Sequence, residues 1–144
     1  AAIQDTGLPP TSLALEITES TLMYNLEQGA VLLRQLRHLG VSIAIDDFGT
    51  GYSSLAYLKD LPIDYLKIDR SFVKDIVTDR NDAAIANSII GLAHNLGLKV
   101  VAEGVEEQNI LDVLADFGCD QYQGYFFARP VAATDLPLLI AGCH

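Results

Sequence analysis

Six residues of this chain have side chains able to do chemistry together: Glu16, Asp46, Asp47, Lys67, Glu103 and Gln123. Five of them, all but Asp47, fall near the C-terminal ends of short runs with the look of strands. Clustered carboxylates repel one another and drive their pKa values upward unless a cation relieves them. Mg²⁺ and Mn²⁺ prefer oxygen ligands, so a carboxylate trio of Glu16, Asp46 and Glu103, with a lysine and an amide beside it, suits a divalent cation. An adjacent pair such as Asp46 and Asp47 can ligate two metals with one residue bridging, the arrangement that clamps the attacking and leaving oxygens in phosphoryl chemistry. Each residue also has a plainer reading, since charged groups at strand ends are often solvated loop edges. "DDFGTG" alone could be an Asp-rich turn before a helix.

The elements that must position these groups are five runs: "LALEI" at 13–17, "VSIAI" at 41–45, "DYLKI" at 64–68, "LKVVA" at 98–102 and the weaker "DQYQG" at 120–124. Their length and bounding residues predict strands. Between and after them "NLEQGAVLLRQLRHLG", "SSLAYLKDL", "NDAAIANSIIGLAHNLG", "EEQNILDVLADFG" and "TDLPLLIAG" have helical spacing, the last with Thr134 as its expected N-cap. The order β-α, repeated five times, makes the fold class α/β with a parallel sheet, either open and doubly wound or part of a (β/α)8 barrel.

Side-chain alternation favours the barrel. Val41, Ile43 and Ile45 share one face of their strand, whereas Ser42, Ala44 and Asp46 share the other. The branched face suits covering helices, and the small, polar face suits a crowded barrel axis. The split recurs with Leu13, Leu15 and Ile17 against Ala14 and Glu16, with Leu66 and Ile68 against Tyr65 and Lys67, and with Leu98, Val100 and Ala102 against Lys99, Val101 and Glu103. Glu16, Asp46, Lys67, Glu103 and Gln123 are thus expected in one inward layer, where barrel enzymes place their chemistry. Asp47 would face outward on a continuing strand, so the chain is expected to turn there and bring both aspartates to the same mouth. Gly49 and Gly51 permit such a turn, and Ser53 and Ser54 would cap the next helix.

Composition bounds the rest. With 144 residues, half hydrophobic and 19% charged, the chain reads as one domain, 1–144. A net charge of -10 excludes a basic surface for a nucleic-acid polymer. Cys119 and Cys143 show neither metal spacing nor a disulfide framework, which points to free thiols in a reducing cytoplasm. No run approaches the roughly 18 apolar residues of a membrane span, so no direct membrane insertion is expected. The chain opens on Ala1 and its only methionine is Met23, as in a piece of something longer. His38 and His94 fall near predicted helix C-termini, where a cation is favoured, and read as structural; His144 is terminal.

"LEITES", "IAIDDFGTGYSSLAYLKDLPIDYLKIDRSFV", "GLKVVAEGVEE" and "QYQGYFFARP" resemble the successive signatures of the EAL family of cyclic di-GMP phosphodiesterases, over about residues 8 to 131. The resemblance implies a TIM-like (β/α)8 barrel of the EAL type, of which this chain holds about the last five βα units, strands 4 to 8. It implies metal-dependent hydrolysis of cyclic di-GMP to linear pGpG, with Mg²⁺ or Mn²⁺ in a two-metal site. By the same resemblance Glu16 is a metal ligand, Asp46 and Asp47 are the family's aspartate pair, and Lys67 holds the nucleophilic water or the scissile phosphate. Glu103 becomes a second-metal ligand or water orienter, Gln123 a water-positioning amide, and Glu19 the glutamate that steadies the "DDFGTGYSS" loop, which family members also use in homodimer contact. Phe48 in that loop is the expected substrate contact, and the aromatics of "QYQGYFFARP" could stack a guanine or pack the lower barrel. The implied setting is a bacterial cytoplasm, the longer protein being free or attached to the inner membrane.

The family's Glu-Ala-Leu strand, its arginine and a metal-binding asparagine have no counterpart here; Asn25 and Asn87 lie in predicted helices and do not replace the last. The isolated 144 residues are therefore expected to lack significant turnover while retaining weak metal binding. Two alternatives stand beside this reading. One is a degenerate, non-hydrolysing EAL domain acting as a cyclic di-GMP receptor or protein-interaction module. The other is an enolase-like barrel with Lys67 as base, which leaves the long "DDFGTGYSSLAYL" match unexplained.

Overall fold

Alternating inward and outward residues do form five parallel strands in a computed structural model that describes residues 2–51 and 55–142. They are β1 (Ala14–Thr18), β2 (Ser42–Phe48), β3 (Tyr65–Ile68), β4 (Lys99–Glu103) and β5 (Gln121–Gln123), within a residue or so of the expected runs except that β2 extends three residues further. The helices are α1 (Ala2–Thr6), α2 (Glu19–Tyr24), α3 (Leu26–His38), α4 (Leu55–Leu58), α5 (Arg70–Lys74), α6 (Arg80–Asn95), α7 (Gln108–Asp116) and α8 (Leu136–Gly142), with a 3-10 turn at Pro10–Ser12. The expected caps Ser53 and Ser54 lie outside the described residues, as do Cys143 and His144.

Strand order separates the two α/β architectures. The sheet runs β1-β2-β3-β4-β5 with every pair parallel, so each crossover steps the same way. A doubly wound sheet reverses direction at a switch point; this one does not, and right-handed crossovers then leave all helices on one side. That is the arrangement of consecutive units of a barrel.

The covered face is the branched one. Ile43, Ile45, Leu66, Ile68, Val100 and Ala102 have no exposure, and α2, α3, α5 and α6 pack onto these strands, with Ile110 and Leu114 of α7 in the same core. Each fully buried aliphatic side chain there stabilises the fold by about 2 kcal/mol. The opposite face forms a concavity of about 220 Å³ lined by Ala14, Ser42, Ala44, Tyr65 and Val101 together with Glu16, Lys67 and Gln123.

Three helices escaped the periodicity, the short α1 and two, α2 and α5, that are little more than a turn built on a cap. Thr18 accepts from the Thr21 amide and starts α2 directly off β1; Asp69 accepts from the Ser71 amide and starts α5 off β3. Asn25, expected inside a helix, is the N-cap of α3, its Oδ1 accepting from Gln28. At the C-terminal end the Asp135 carbonyl, not Thr134, accepts the first bonds of α8, from Leu138 and Leu139. No helix among the described residues is long and apolar enough to cross a membrane.

The lower ends of β3 and β5 repeat one device. Asp64 precedes β3, accepts from the Ile43 amide at 2.9 Å and faces Arg37 of α3 at 3.5 Å. Asp120 precedes β5, accepts from the Val100 amide at 2.8 Å and bonds His94 Nε2 at 2.8 Å. His94 and Arg37 both stand in last helical turns, where positive charge complements the exposed carbonyls.

Candidate metal centre

β1, β3 and β4 carry Glu16, Lys67 and Glu103 into the concave face. Lys67 is 3% exposed, and its ammonium lies 2.7 Å from Glu16 Oε1 and 2.5 Å from Glu103 Oε1. A buried cation is tolerated only when paired. Burial pulls the Lys67 pKa down, but its bonds to Glu103 and Glu16, with the nearby charge of Asp46, outweigh that and leave it raised. Glu103 is raised first by its burial and further by Asp46 and Glu16, against the lowering pull of Lys67.

The expected single inward layer is corrected by the register. Glu16 is level with Ala44 and Tyr65, Lys67 with Val101, and Glu103 with Gln123, while Asp46 lies level with Thr18, two residues above Glu16. Parallel strands of a barrel are tilted and staggered, so side-chain reach closes the gap that the backbone register leaves open. One carboxylate oxygen from each of Glu16, Asp46 and Glu103 lies within 4.8 Å of the other two.

The turn expected at the aspartate pair is present, and Asp47 itself makes it. The β2–β3 register slips between Ile45 and Phe48, and Asp47 is the only described non-glycine residue with positive φ, at 55°. Aspartate is among the few side chains that enter this region readily. Asp46 Oδ1 accepts from the Asp47 amide at 2.8 Å, and the Asp47 carbonyl accepts from the amide and hydroxyl of Thr50. Gly49 at φ 93° completes the turn; a Cβ there would sit 3.1 Å from Ile89 and 3.3 Å from Phe72. The slip brings Asp47 into a second carboxylate group with Asp69 and Glu103, again within 4.8 Å.

Asp69 was not singled out by the sequence analysis. It caps α5, and burial, which raises its pKa, is outweighed by its bonds to Ser71, leaving it lowered. Asp47 next to it is raised, by burial first and then by Asp46 and Asp69. The position of Asp69, two residues after Lys67, was the available signal.

Glu19, expected as the loop's anchor, is 4% exposed at the start of α2. Its Oε2 accepts from the Gly49 amide at 3.4 Å and its Oε1 from the Tyr57 hydroxyl at 2.8 Å. Burial first, and the Glu19 carboxylate second, push the Tyr57 phenol well above its ordinary pKa.

Phe48 is a correction. Its ring is 3% exposed and belongs to the hydrophobic core, because the slip at Asp47 turns residue 48 to the covered face; it offers no surface to a substrate. Gln123 lines the concavity beside Lys67. Tyr125 stacks under the Arg129 guanidinium at 5.1 Å, and Phe126 and Phe127 meet edge to face, 39% and 48% exposed rather than packed beneath a barrel. Two glycines weld the strand ends next to the site. A Cβ on Gly124 would fall 2.0 Å from the Val105 carbonyl oxygen, and one on Gly104 2.7 Å from Arg70 Cβ. Cys119 is buried, and burial pushes its thiol up to about 11, which makes it an inert core residue.

Hard oxygen donors converge here in two groups that share Glu103, and their charge is offset by Lys67, with Arg70 acting on Asp69. This donor set fits divalent cations of the Mg²⁺ or Mn²⁺ kind.

Comparison with known proteins agrees with the geometry. A family model described as EAL domain matches residues 1–130. The chain is 55% identical over 135 residues to the cyclic di-GMP phosphodiesterase NbdA of Pseudomonas aeruginosa, across 94% of this chain and 17% of NbdA. It is 48% identical over 135 residues to the bifunctional diguanylate cyclase/cyclic di-GMP phosphodiesterase MucR of the same organism, across 94% of this chain and 20% of MucR. Among solved structures, the PaMucR phosphodiesterase in complex with c-di-GMP superposes with a TM-score of 0.90 at 48% identity, covering 94% of this chain and 55% of that one. Klebsiella pneumoniae BlrP1 with manganese and cyclic di-GMP superposes with a TM-score of 0.82 at 36% identity, covering 90% and 33%. The chain thus spans no more than 20% of the length of these curated relatives.

Proposed function

The chain belongs to the EAL domain family, and from that membership we propose that it carries the catalytic face of a metal-dependent cyclic di-GMP phosphodiesterase yielding linear pGpG. The observation that carries the reading is the convergence of Glu16, Asp46, Asp47, Asp69 and Glu103 around Lys67 at the C-terminal ends of parallel strands, in a chain 48% identical to a phosphodiesterase solved with c-di-GMP. We take its five strands as strands 4 to 8 of the EAL barrel.

In net terms a water oxygen bonds to phosphorus, one P–O ester bond breaks, and the released sugar oxygen takes up a proton. Glu16, Asp46, Asp47 and Glu103, with Asp69 beside them, would hold divalent cations, which when bound would supply Lewis acidity toward the phosphate oxygens and toward water. Lys67, fixed between two carboxylates, presents an ammonium to the scissile phosphate or to the attacking water, and its low mobility removes part of the ordering cost of that contact. Gln123 orients the water through its amide. Glu103 belongs to both carboxylate groups, so it would contact a cation held in either.

The reading extends to a homodimer in contact through the "DDFGTGYSS" loop and to a bacterial cytoplasmic face, with Mg²⁺ or Mn²⁺ as the metal. The sheet surrounds its concave face on one side only, with one unpaired edge on each of β1 and β5 among the described residues, so these residues alone are expected to lack significant turnover. The test is calorimetry of cyclic di-GMP with and without Mn²⁺, beside a chromatographic assay for pGpG. Mn²⁺-dependent binding that Asp46→Asn abolishes supports the reading. Binding that ignores Mn²⁺ overturns the phosphodiesterase assignment in favour of a non-hydrolysing receptor.

A further inference from the structure

The aspartate pair sits on a turn that pivots on Asp47 at positive φ; Thr50 bonds the Asp47 carbonyl from within the turn, and side chains from other elements brace it from outside. Three side chains from different elements bear on Gly49 of this turn. Gly49 is packed from below by Ile89 and Phe72, and its amide donates to Glu19 Oε2. Glu19 is a buried carboxylate at the start of α2, and its other oxygen is fixed by the hydroxyl of Tyr57, itself 8% exposed, on α4. Tyr57 thus ties α4 to α2 through the carboxylate that grips the loop.

We propose that Tyr57 is a positioning residue for the metal loop: its hydroxyl, through Glu19, fixes the Asp47–Gly49 turn that aims Asp46 and Asp47. A buried carboxylate is a strong acceptor whose orientation follows its donors. Without the phenol donor, Glu19 Oε1 turns toward other donors, Oε2 leaves the Gly49 amide, and the turn loses its hydrogen bond to α2 while keeping the packing of Ile89 and Phe72. The ring does separate work as a core residue, so Tyr57→Phe keeps the packing and removes only the donor. The inference rests on the metal reading above for its consequence, but its structural half stands without any metal.

The test compares Tyr57→Phe with the full chain and with Ile110→Val in the α7 core, a variant that loosens packing without touching the loop. In the metal-free protein, amide exchange of the segment 47–51 is expected to quicken about tenfold in Tyr57→Phe, the worth of one hydrogen bond, while β3 and β4 stay protected. Mn²⁺ affinity measured by calorimetry is expected to fall about tenfold, as for loss of an outer partner of a metal ligand. Ile110→Val should leave both quantities unchanged relative to its own global stability. Unchanged exchange in segment 47–51 overturns the proposal. Faster exchange with unaltered Mn²⁺ affinity overturns its second half, and wild-type protein that binds no Mn²⁺ refutes the metal reading while the exchange result still decides the role of Tyr57.

Discussion

Replacing Lys67 by Met keeps the length and volume of the side chain and removes the one cation between Glu16 and Glu103. Breaking a buried ion pair by deleting one partner costs about 3–5 kcal/mol when both charges are enclosed. Glu103 is 20% exposed but Glu16 is 50% exposed, so water takes over much of the second pair, and the expected cost at pH 7 is about 2–3 kcal/mol. For a chain of this size that lowers Tm by roughly 6–9 °C. The sign of the pH dependence follows from Glu103, whose folded pKa is already raised by burial and would rise further without Lys67. A carboxylate raised in the folded state contributes stability below its unfolded pKa and loses it as pH rises through the folded value. The gap between wild type and Lys67→Met should therefore be small near pH 4 and full at pH 7. Added Mn²⁺ should narrow it, since a cation from solution then supplies the missing charge. Thermal melts across pH 4 to 7, with and without Mn²⁺, measure this. A variant as stable as wild type at pH 7, with no pH-dependent gap, would refute the electrostatic account.

Other parts of the fold make their own predictions. Gly124→Ala places a methyl 2.0 Å from the Val105 carbonyl oxygen, beside the bonds from Val105 N to Gln123 O and from Phe126 N to Val105 O; a cost of about 3 kcal/mol is expected in a urea melt, and an unchanged midpoint would contradict the close approach. Asp120→Ala leaves the amide of fully buried Val100 without its acceptor and should cost about 1–3 kcal/mol at pH 7. The Asp120 pKa is lowered because burial, which raises it, is outweighed by His94 and the Val100 amide. Its contribution is therefore present above the unfolded value of about 3.9 and is lost as pH falls through the folded one, so the difference between Asp120→Ala and wild type should shrink below pH 4.

Most of the architecture was legible because a strand's period of two is visible in five residues. Ile43 and Ile45 against Ala44 and Asp46 are enough to tell a covered face from an open one, and the same split in β1, β3 and β4 marks the side on which Glu16, Lys67 and Glu103 stand. What periodicity cannot carry is the place where it breaks. Phe48 reads as a loop residue beside the metal pair; one residue at φ 55° turns it into the core. Asp69 drew no assignment from the sequence; it caps α5, and the same slip brings Asp47 to it. The stagger between Glu16 and Asp46 is a property of strand pairing, which no single strand contains. The tie from Tyr57 to Glu19 joins residues 38 apart in sequence, and a tyrosine on a short helix has no local feature to distinguish it from ordinary core.

The central claim is that the inner-face carboxylates hold divalent cations in two groups sharing Glu103. Calorimetric titration of Mn²⁺ into the wild-type chain, Asp46→Asn and Glu103→Gln tests it most directly. The account predicts saturable binding to wild type, weakened in Asp46→Asn and abolished in Glu103→Gln, with all three proteins folded. Equal Mn²⁺ binding by wild type and Glu103→Gln would contradict it.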